Sequence, residues 1–407
     1  MENYIADVMT LSQQCDCGNH HNAIPIEAIK IGNDALKEAA RFIQRKAYQK
    51  VVIVADAQTY KAGVERLAEH LKEKNIPFSV TILKPDENND VVADEKCLVQ
   101  ALLDIPTEAD VLIAFGAGTI HDITRFCATK LKIPFISVPS APSVDGFTSL
   151  GAPLIVRGVK TTFQMSSPIA VFADLTILQS APREMIAAGF GDMMAKYTSL
   201  ADWKLGHVAV GEPYCPLSAQ ITRDALENCV EHAEEIEAGD QKGVRILIEA
   251  LIKSGLAMLL FGQSHPASGG EHHLSHYWEM EFLKLGRPAV LHGAKVSVAT
   301  LLLADIYKRE FLELITEEKN MENIDDPFIV KNIQEHLPVI QSIYEEIPQP
   351  ERLREILEKL NGAVTPAELG ISEELVNRSL QEAHHLRNRF TALKFLNEVA
   401  KVSPQYV

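Results

Sequence analysis

Four short runs of β-branched and apolar residues recur in the first half of the chain: "KVVIVAD" (50–56), "FSVTIL" (78–83), "DVLIAFGAG" (110–118) and "PFISVPS" (134–140). Polar stretches with helical spacing, "AGVERLAEHLKEKN" (62–75) and "DEKCLVQALLDI" (94–105), separate the first three. A strand followed by a helix re-enters its sheet parallel to the strand before it. Repetition of that unit therefore predicts a parallel sheet with helices on both faces. The first half reads as an α/β domain of the nucleotide-binding type.

The pattern then changes. "APLIVRGVKTTFQMSSPIAVFADL" (152–175) predicts a hairpin and a last strand. Beyond Leu175 apolar residues recur at three- and four-residue spacing in the stretches 180–206, 240–262 and 294–315, and few strand signals follow. A length of 407 residues favours two domains. The change of period puts their boundary near residue 178, giving an α/β unit over 1–178 and an all-helical unit over 179–407.

Apolar residues make up 46% and charged residues 23%, the composition of an ordinary globular chain. The net charge of −16 argues against a nucleic-acid binder, which needs clustered Lys and Arg. An anionic small substrate would need a local positive patch, a metal or helix N-termini. No signal peptide is evident and no apolar run approaches the roughly 18 residues of a membrane span, so a cytoplasmic protein is expected. Six scattered cysteines suggest reduced thiols. "CDCGNHH" (15–21) offers Cys15, Cys17, His20 and His21, but its C-x-C spacing is tighter than usual for zinc and its position is near-terminal. A polar N-terminal arm is the expectation there.

Two loops carry the cofactor reading. In "AFGAGTIHD" (114–122), Gly116 and Gly118 follow a strand and precede a helix, where a tight turn can bring backbone close to a diphosphate. The third glycine of the dinucleotide pattern is replaced by His121, so an ordinary strand-to-helix turn is the competing reading. "SVPSAPSVDGFTS" (137–149) adds hydroxyls and Asp145 at the same edge of the sheet. Asp56 ends the first of the four runs, where it could accept from a ribose or begin a turn.

The metal reading starts from "SGGEHHLSHYW" (268–278). His272 and His276, four apart, share one helix face. A protease site is disfavoured because position 273 is His where a glutamate base is required. Asp192, near the start of an apolar helix in "GFGDMMAKY", and His292, at a helix start in "LHGAKV", are costly to bury unpaired. One Asp and two His could hold a divalent ion with positions left open for substrate. The competing readings are a helix-terminal charge for Asp192 and a core histidine for His292. His265 and His273 are expected to be structural or exposed. Lys196 and Lys295 are ordinary helix cations or phosphate ligands.

"GAGTIHD", "SVPSAPSVDGFTS", "AAGFGDMMAK", "PASGGEHHLSHYWEME" and "LHGAKV" together resemble the superfamily of glycerol dehydrogenases, dehydroquinate synthases and iron-type alcohol dehydrogenases, over nearly the whole chain. Within it the chain is most similar to the bacterial sn-glycerol-1-phosphate dehydrogenase branch. The resemblance implies a dehydroquinate synthase-like fold, a Rossmann-like domain and a helical domain with the active site in the cleft between them. It implies Asp192, His272 and His292 as metal ligands, with Asp145, Asp192 and His276 at the substrate. It implies Asp56, Gly118, Thr119, Ile120, His121, Asp122, Ser140, Ala141, Pro142, Ser143 and Ser149 at an NAD(P)H cofactor, to which the reading of the glycine turn adds Gly116. One divalent ion, Ni2+ or Zn2+, a small phosphorylated substrate and a homodimer are also implied. A polyol dehydrogenase without a phosphate requirement and a dehydroquinate-synthase-like lyase are the alternatives within the same fold.

Overall fold

The computed structural model describes residues 2–317, 321 and 324–406. Six strands form one sheet: β1 (Ala28–Gly32), β2 (Val51–Asp56), β3 (Phe78–Leu83), β4 (Val111–Gly116), β5 (Phe135–Pro139) and β8 (Ala170–Asp174). Their order is β1-β8-β5-β4-β2-β3, with every pair parallel. The four expected runs and the last strand are all present. β1 was not expected: it is only five residues long with Lys30 at its centre, and it becomes a strand by pairing with β8 at the sheet edge.

Alternation in β2 shows why the sheet needs two helical covers. Val51, Ile53 and Ala55 pack with Leu36, Phe42, Leu67 and Leu71 on one side, and Val52 and Val54 with Leu98, Ala101, Ile120 and Ile123 on the other. The chain leaves β2 toward β3 and then returns to place β4 on the opposite flank of β2. The carboxyl ends of β2 and β4 therefore mark the topological switch, where ligands of such sheets bind.

β6 (Gly151–Val156) and β7 (Val159–Gln164) form the expected hairpin as a separate antiparallel pair. Arg157 and Gly158 both take positive φ, the requirement of a tight two-residue turn. From Leu175 onward the described residues contain helices and no strand. The stretch 180–206, with its helical spacing, forms two helices, Arg183–Met194 and Lys196–Val210. Helix Gln241–Phe261 runs through the core, buried along most of its length, and Gly270–Lys284 and His292–Ile306 complete the part that faces the sheet.

The N-terminal segment is not a simple polar arm. Glu2–Gln14 is a helix whose Tyr4, Ile5, Val8 and Met9 lie at helical spacing against the helical core. No helix among the described residues is long and apolar enough to cross a membrane.

Candidate active site

Asp192 sits in the last turn of helix Arg183–Met194, not near a helix start. An anion there opposes the helix dipole, so the competing reading of a favourable N-terminal charge is lost and compensation must come from elsewhere. Lys196 Nζ supplies it at 2.9 Å from Oδ1, and the Asp145 amide donates to Oδ2 at 3.0 Å. Lys196 is fully buried; its Nζ also pairs with Asp145 Oδ2 at 2.8 Å and donates to the Ala267 carbonyl. Burial alone would lower its pKa, but Asp145 and Asp192 outweigh that and hold it above the ordinary lysine value. Lys196 is thus committed to two carboxylates and is unavailable to a phosphate.

Glycines allow the helices to bring Asp192 to its partners. A Cβ on Gly189 would lie 1.8 Å from the Pro142 carbonyl oxygen, and one on Gly293 would lie 1.9 Å from that of Ala188. Helix Arg183–Met194 therefore touches both the 140–145 loop and helix His292–Ile306 backbone to backbone. His292 is the first residue of the latter.

His272 and His276 project from one face of helix Gly270–Lys284, with ring centroids 6.3 Å apart; the His272 and His292 rings are 5.2 Å apart. One ligand atom from each of Asp192, His272 and His292 lies within 4.8 Å of the others. His272 Nδ1 donates to Glu271 Oε1 at 2.7 Å, which leaves the Nε2 lone pair facing Asp192, 3.8 Å from Oδ1. Glu271 is buried and accepts from the Gly269 amide and Thr198 hydroxyl. Burial, followed by Lys196, lowers His272 to about 3, and burial is the main cause holding His276 and His292 well below the ordinary histidine value. One carboxylate and two neutral imidazoles fit a divalent cation, and a carboxylate fixing the far nitrogen of a ligand imidazole is the usual support for such a site.

His276 is engaged differently. Arg387 donates to its Nε2 at 3.0 Å, so the ring proton resides on Nδ1, facing Glu279 at 3.8 Å. Lys160 Nζ reaches Glu279 at 2.6 Å and Lys295 Nζ at 3.1 Å. Burial would raise Glu279, but Lys160 and Lys295 hold it well below the usual carboxylate range. His265 and His273 are buried rather than exposed, and neither ring nitrogen of His273 has a partner among the described residues.

His272, His276, Glu279 and His292 line a cavity of about 380 Å3, whereas Asp192 is fully buried and is not in its wall. His272, His276, His292 and Lys295 line its helical side, and Gly118, Thr119, Asp122, Ser143, Asp145 and Ser149 line the sheet side. Gly116, Ile120, His121, Ser140, Ala141, Pro142 and Asp56 are not in that wall. His121 is a satisfied buried histidine, with Nδ1 on the Ala117 carbonyl at 2.9 Å and Nε2 on Ser137 Oγ at 2.7 Å. Asp56 Oδ1 caps the helix start at Gln58 and Thr59. Ser140 is tied by its amide to Gly116, which joins the two loops.

Sequence reasoning missed Glu271, Glu279, Lys160, Arg125 and Arg387. Glu279 was discoverable, since 272, 276 and 279 fall on one helix face. Arg125, fully buried, donates to Asp122, Gly146 and Gly151 and so ties the 145–151 loop to the helix that starts at Gly118. Nothing local marks Arg387, which lies 111 residues from His276.

The family model for iron-containing alcohol dehydrogenases matches residues 30–182. A glycerol-1-phosphate dehydrogenase [NAD(P)+] of Geobacillus stearothermophilus is 52% identical over 401 residues, 98% of this chain and 99% of its own. A protein of the same name from Halalkalibacterium halodurans is 45% identical over 99% of this chain and 100% of its own. Among solved structures, glycerol dehydrogenase from Schizosaccharomyces pombe has the same fold, with a TM-score of 0.63 at 16% identity, covering 94% of this chain and 86% of its own.

Proposed function

The chain belongs to the glycerol-1-phosphate dehydrogenase family, NAD(P)-dependent oxidoreductases, and from that membership we propose that it interconverts dihydroxyacetone phosphate and sn-glycerol 1-phosphate. The observation that carries the site assignment is the convergence of Asp192, His272 and His292 on one another where the two imidazoles enter the wall of a cavity that the Gly118 turn also lines. When bound, a nickel or zinc ion on those three side chains would withdraw charge from the ketone, and a nicotinamide would supply hydride.

The remaining work belongs to the chain itself. Lys196 and the Asp145 amide keep the Asp192 carboxylate oriented, and Glu271 keeps the His272 Nε2 lone pair directed inward. Asp145, braced by Ser254 at 2.8 Å, and His276, braced by Arg387, orient the substrate hydroxyls or phosphate and together relay, through water, the proton that the new alcohol requires. Lys160, Lys295 and Arg387 line the cavity and offer the positive patch that a phosphate needs in a chain of net charge −16. Lys160 belongs to the β6–β7 hairpin, so the sheet-side half contributes to substrate binding. The start of helix Gly118–Leu131 suits the cofactor diphosphate, with Gly116 through Asp122, Ser140 through Ser143, and Ser149 forming its surroundings. Asp56, at the end of β2, accepts from the adenosine ribose and favours NAD over NADP by repelling a 2′-phosphate. The boundary near residue 178 separates this cofactor half from the helical half. The family resemblance supports a homodimer, which light scattering would test.

Purified protein given NADH and dihydroxyacetone phosphate should oxidise the cofactor, and chiral analysis should find the 1-phosphate enantiomer. Equal turnover of unphosphorylated dihydroxyacetone, or formation of the 3-phosphate enantiomer, would reject the assignment.

A further inference from the structure

Four ligand-type side chains meet at a place outside the cavity wall. Cys15 follows the N-terminal helix, Cys17 and His21 lie in the next turn, and Cys215 precedes helix Pro216–Glu231, 200 residues from Cys15. Their ligand atoms all lie within 4.8 Å of one another. Cys15 Sγ is 4.0 Å from Cys215 Sγ, and His21 Nε2 is 3.2 Å from Cys215 Sγ and 3.5 Å from Cys17 Sγ. Zinc bonds of about 2.3 Å to sulfur and about 2.0 Å to nitrogen place tetrahedral ligands about 3.8 Å apart for two sulfurs and about 3.5 Å for sulfur and nitrogen. The observed separations of 4.0 Å between sulfurs and of 3.2 and 3.5 Å between nitrogen and sulfur lie close to those values.

The site is built on both sides. Cys215 is fully buried beside Leu200, Trp203 and Phe261. The segment before it is held by Trp203 Nε1, which donates to the Pro213 carbonyl at 2.8 Å. Asn19 Nδ2 donates to the Tyr214 carbonyl at 2.8 Å, and the Asn22 amide to that of Leu260 at 2.9 Å, so the turn is docked around His21. Two N–H groups point at sulfur: Ser218 N at Cys215 and Asn19 Nδ2 at Cys17, each at 3.4 Å. Such donors are the usual outer support of metal-bound thiolates. His20 is exposed and outside the set. A disulfide between Cys15 and Cys215 would need the sulfurs to close to about 2.05 Å, and would leave Cys17 and His21 converging on nothing.

We propose that Cys15, Cys17, His21 and Cys215 bind a structural zinc ion that clamps the N-terminal helix to the helical half. Three sulfurs and one imidazole fill a tetrahedron and leave no position for a substrate, so the ion is a clamp and not a second reaction centre. Soft sulfur ligands also separate it from the cleft, whose donors are nitrogen and oxygen.

The test is metal analysis of the full-length protein, purified without chelator, followed by cobalt substitution. His292→Ala should retain about one zinc per chain, and cobalt-loaded wild type and His292→Ala should both show the near-ultraviolet thiolate-to-cobalt band that an Asp/His/His site cannot produce. Cys215→Ser, which keeps a helix-capping side chain, and Cys15→Ser in the half-buried turn should each lose the band and about one zinc per chain relative to wild type while cofactor oxidation continues. Because the band reads sulfur ligation alone, it separates this site from the cleft assignment whatever the activity. Absence of the band in folded wild type, an unchanged band in both cysteine variants, or a native Cys15–Cys215 disulfide in the mass spectrum would overturn the proposal.

Discussion

The cleft cluster and the N-terminal cluster differ by one donor and by what lies in front of them. Asp192, His272 and His292 are three hard-to-borderline donors, with the two imidazoles in the wall of a cavity of about 380 Å3 and a buried lysine and a buried glutamate behind them. Cys15, Cys17, His21 and Cys215 are four donors, mostly sulfur, set against Trp203 and Phe261 with no part in the cavity. The difference teaches that the coordination position left open, more than the presence of ligands, separates a reaction centre from a clamp.

The sharpest way to break that contrast is to remove one donor from each. His292→Ala should lower kcat/KM by at least about 10³-fold, since a Lewis acid contributes several kcal/mol, whereas Cys215→Ser should change it by less than about twofold. Equal losses in steady-state assays would erase the distinction. Next in size, Glu271→Gln keeps the shape behind His272 but removes the carboxylate that accepts its Nδ1 proton; metal affinity should fall by about 10- to 100-fold in chelator competition. Lys295→Ala should raise KM for dihydroxyacetone phosphate about tenfold with little change in kcat, and leave the slow rate with dihydroxyacetone alone. A matching loss with both substrates would remove Lys295 from the phosphate patch.

The smallest effect concerns an imidazole beside the cofactor loop that has no part in either cluster. Burial lowers His121 to about 3, so the folded chain holds it neutral while the unfolded chain protonates near 6.5. Its contribution is therefore complete above about pH 6.5 and is lost as the pH falls toward 3, at up to about 1.4 kcal/mol per pH unit. Urea unfolding of His121→Gln from about pH 7 to about pH 5 should show a shallower acid limb than wild type. An identical slope would mean that other groups set it.

Much of this site was legible in the sequence, for reasons that can be stated residue by residue. His272 and His276 announce a shared face by their spacing, and Asp192 and His292 stand out as costly polar groups on apolar helices. Glu279 obeys the same spacing and was readable but not read. Asp192 was misplaced along its helix because the break at Ala195 carries neither Gly nor Pro to mark it. Arg387 and Cys215 were beyond reach: their partners are 111 and 194 residues away, and each is unremarkable among its chain neighbours. The Cys15–His21 stretch, judged alone, has too few well-spaced donors for zinc; it meets a fourth donor only in Cys215, just before helix Pro216–Glu231.

By itself the sequence determined the succession of strands and helices, the two kinds of layer, and which polar residues were out of place, because apolar periodicity and burial cost act over a few residues. Tertiary structure alone decided which of those polar residues converge. That choice depends on separations of a few ångströms between helices, set here by contacts such as Gly189 against Pro142 and Gly293 against Ala188, and no local spacing encodes a distance between elements that meet only on folding.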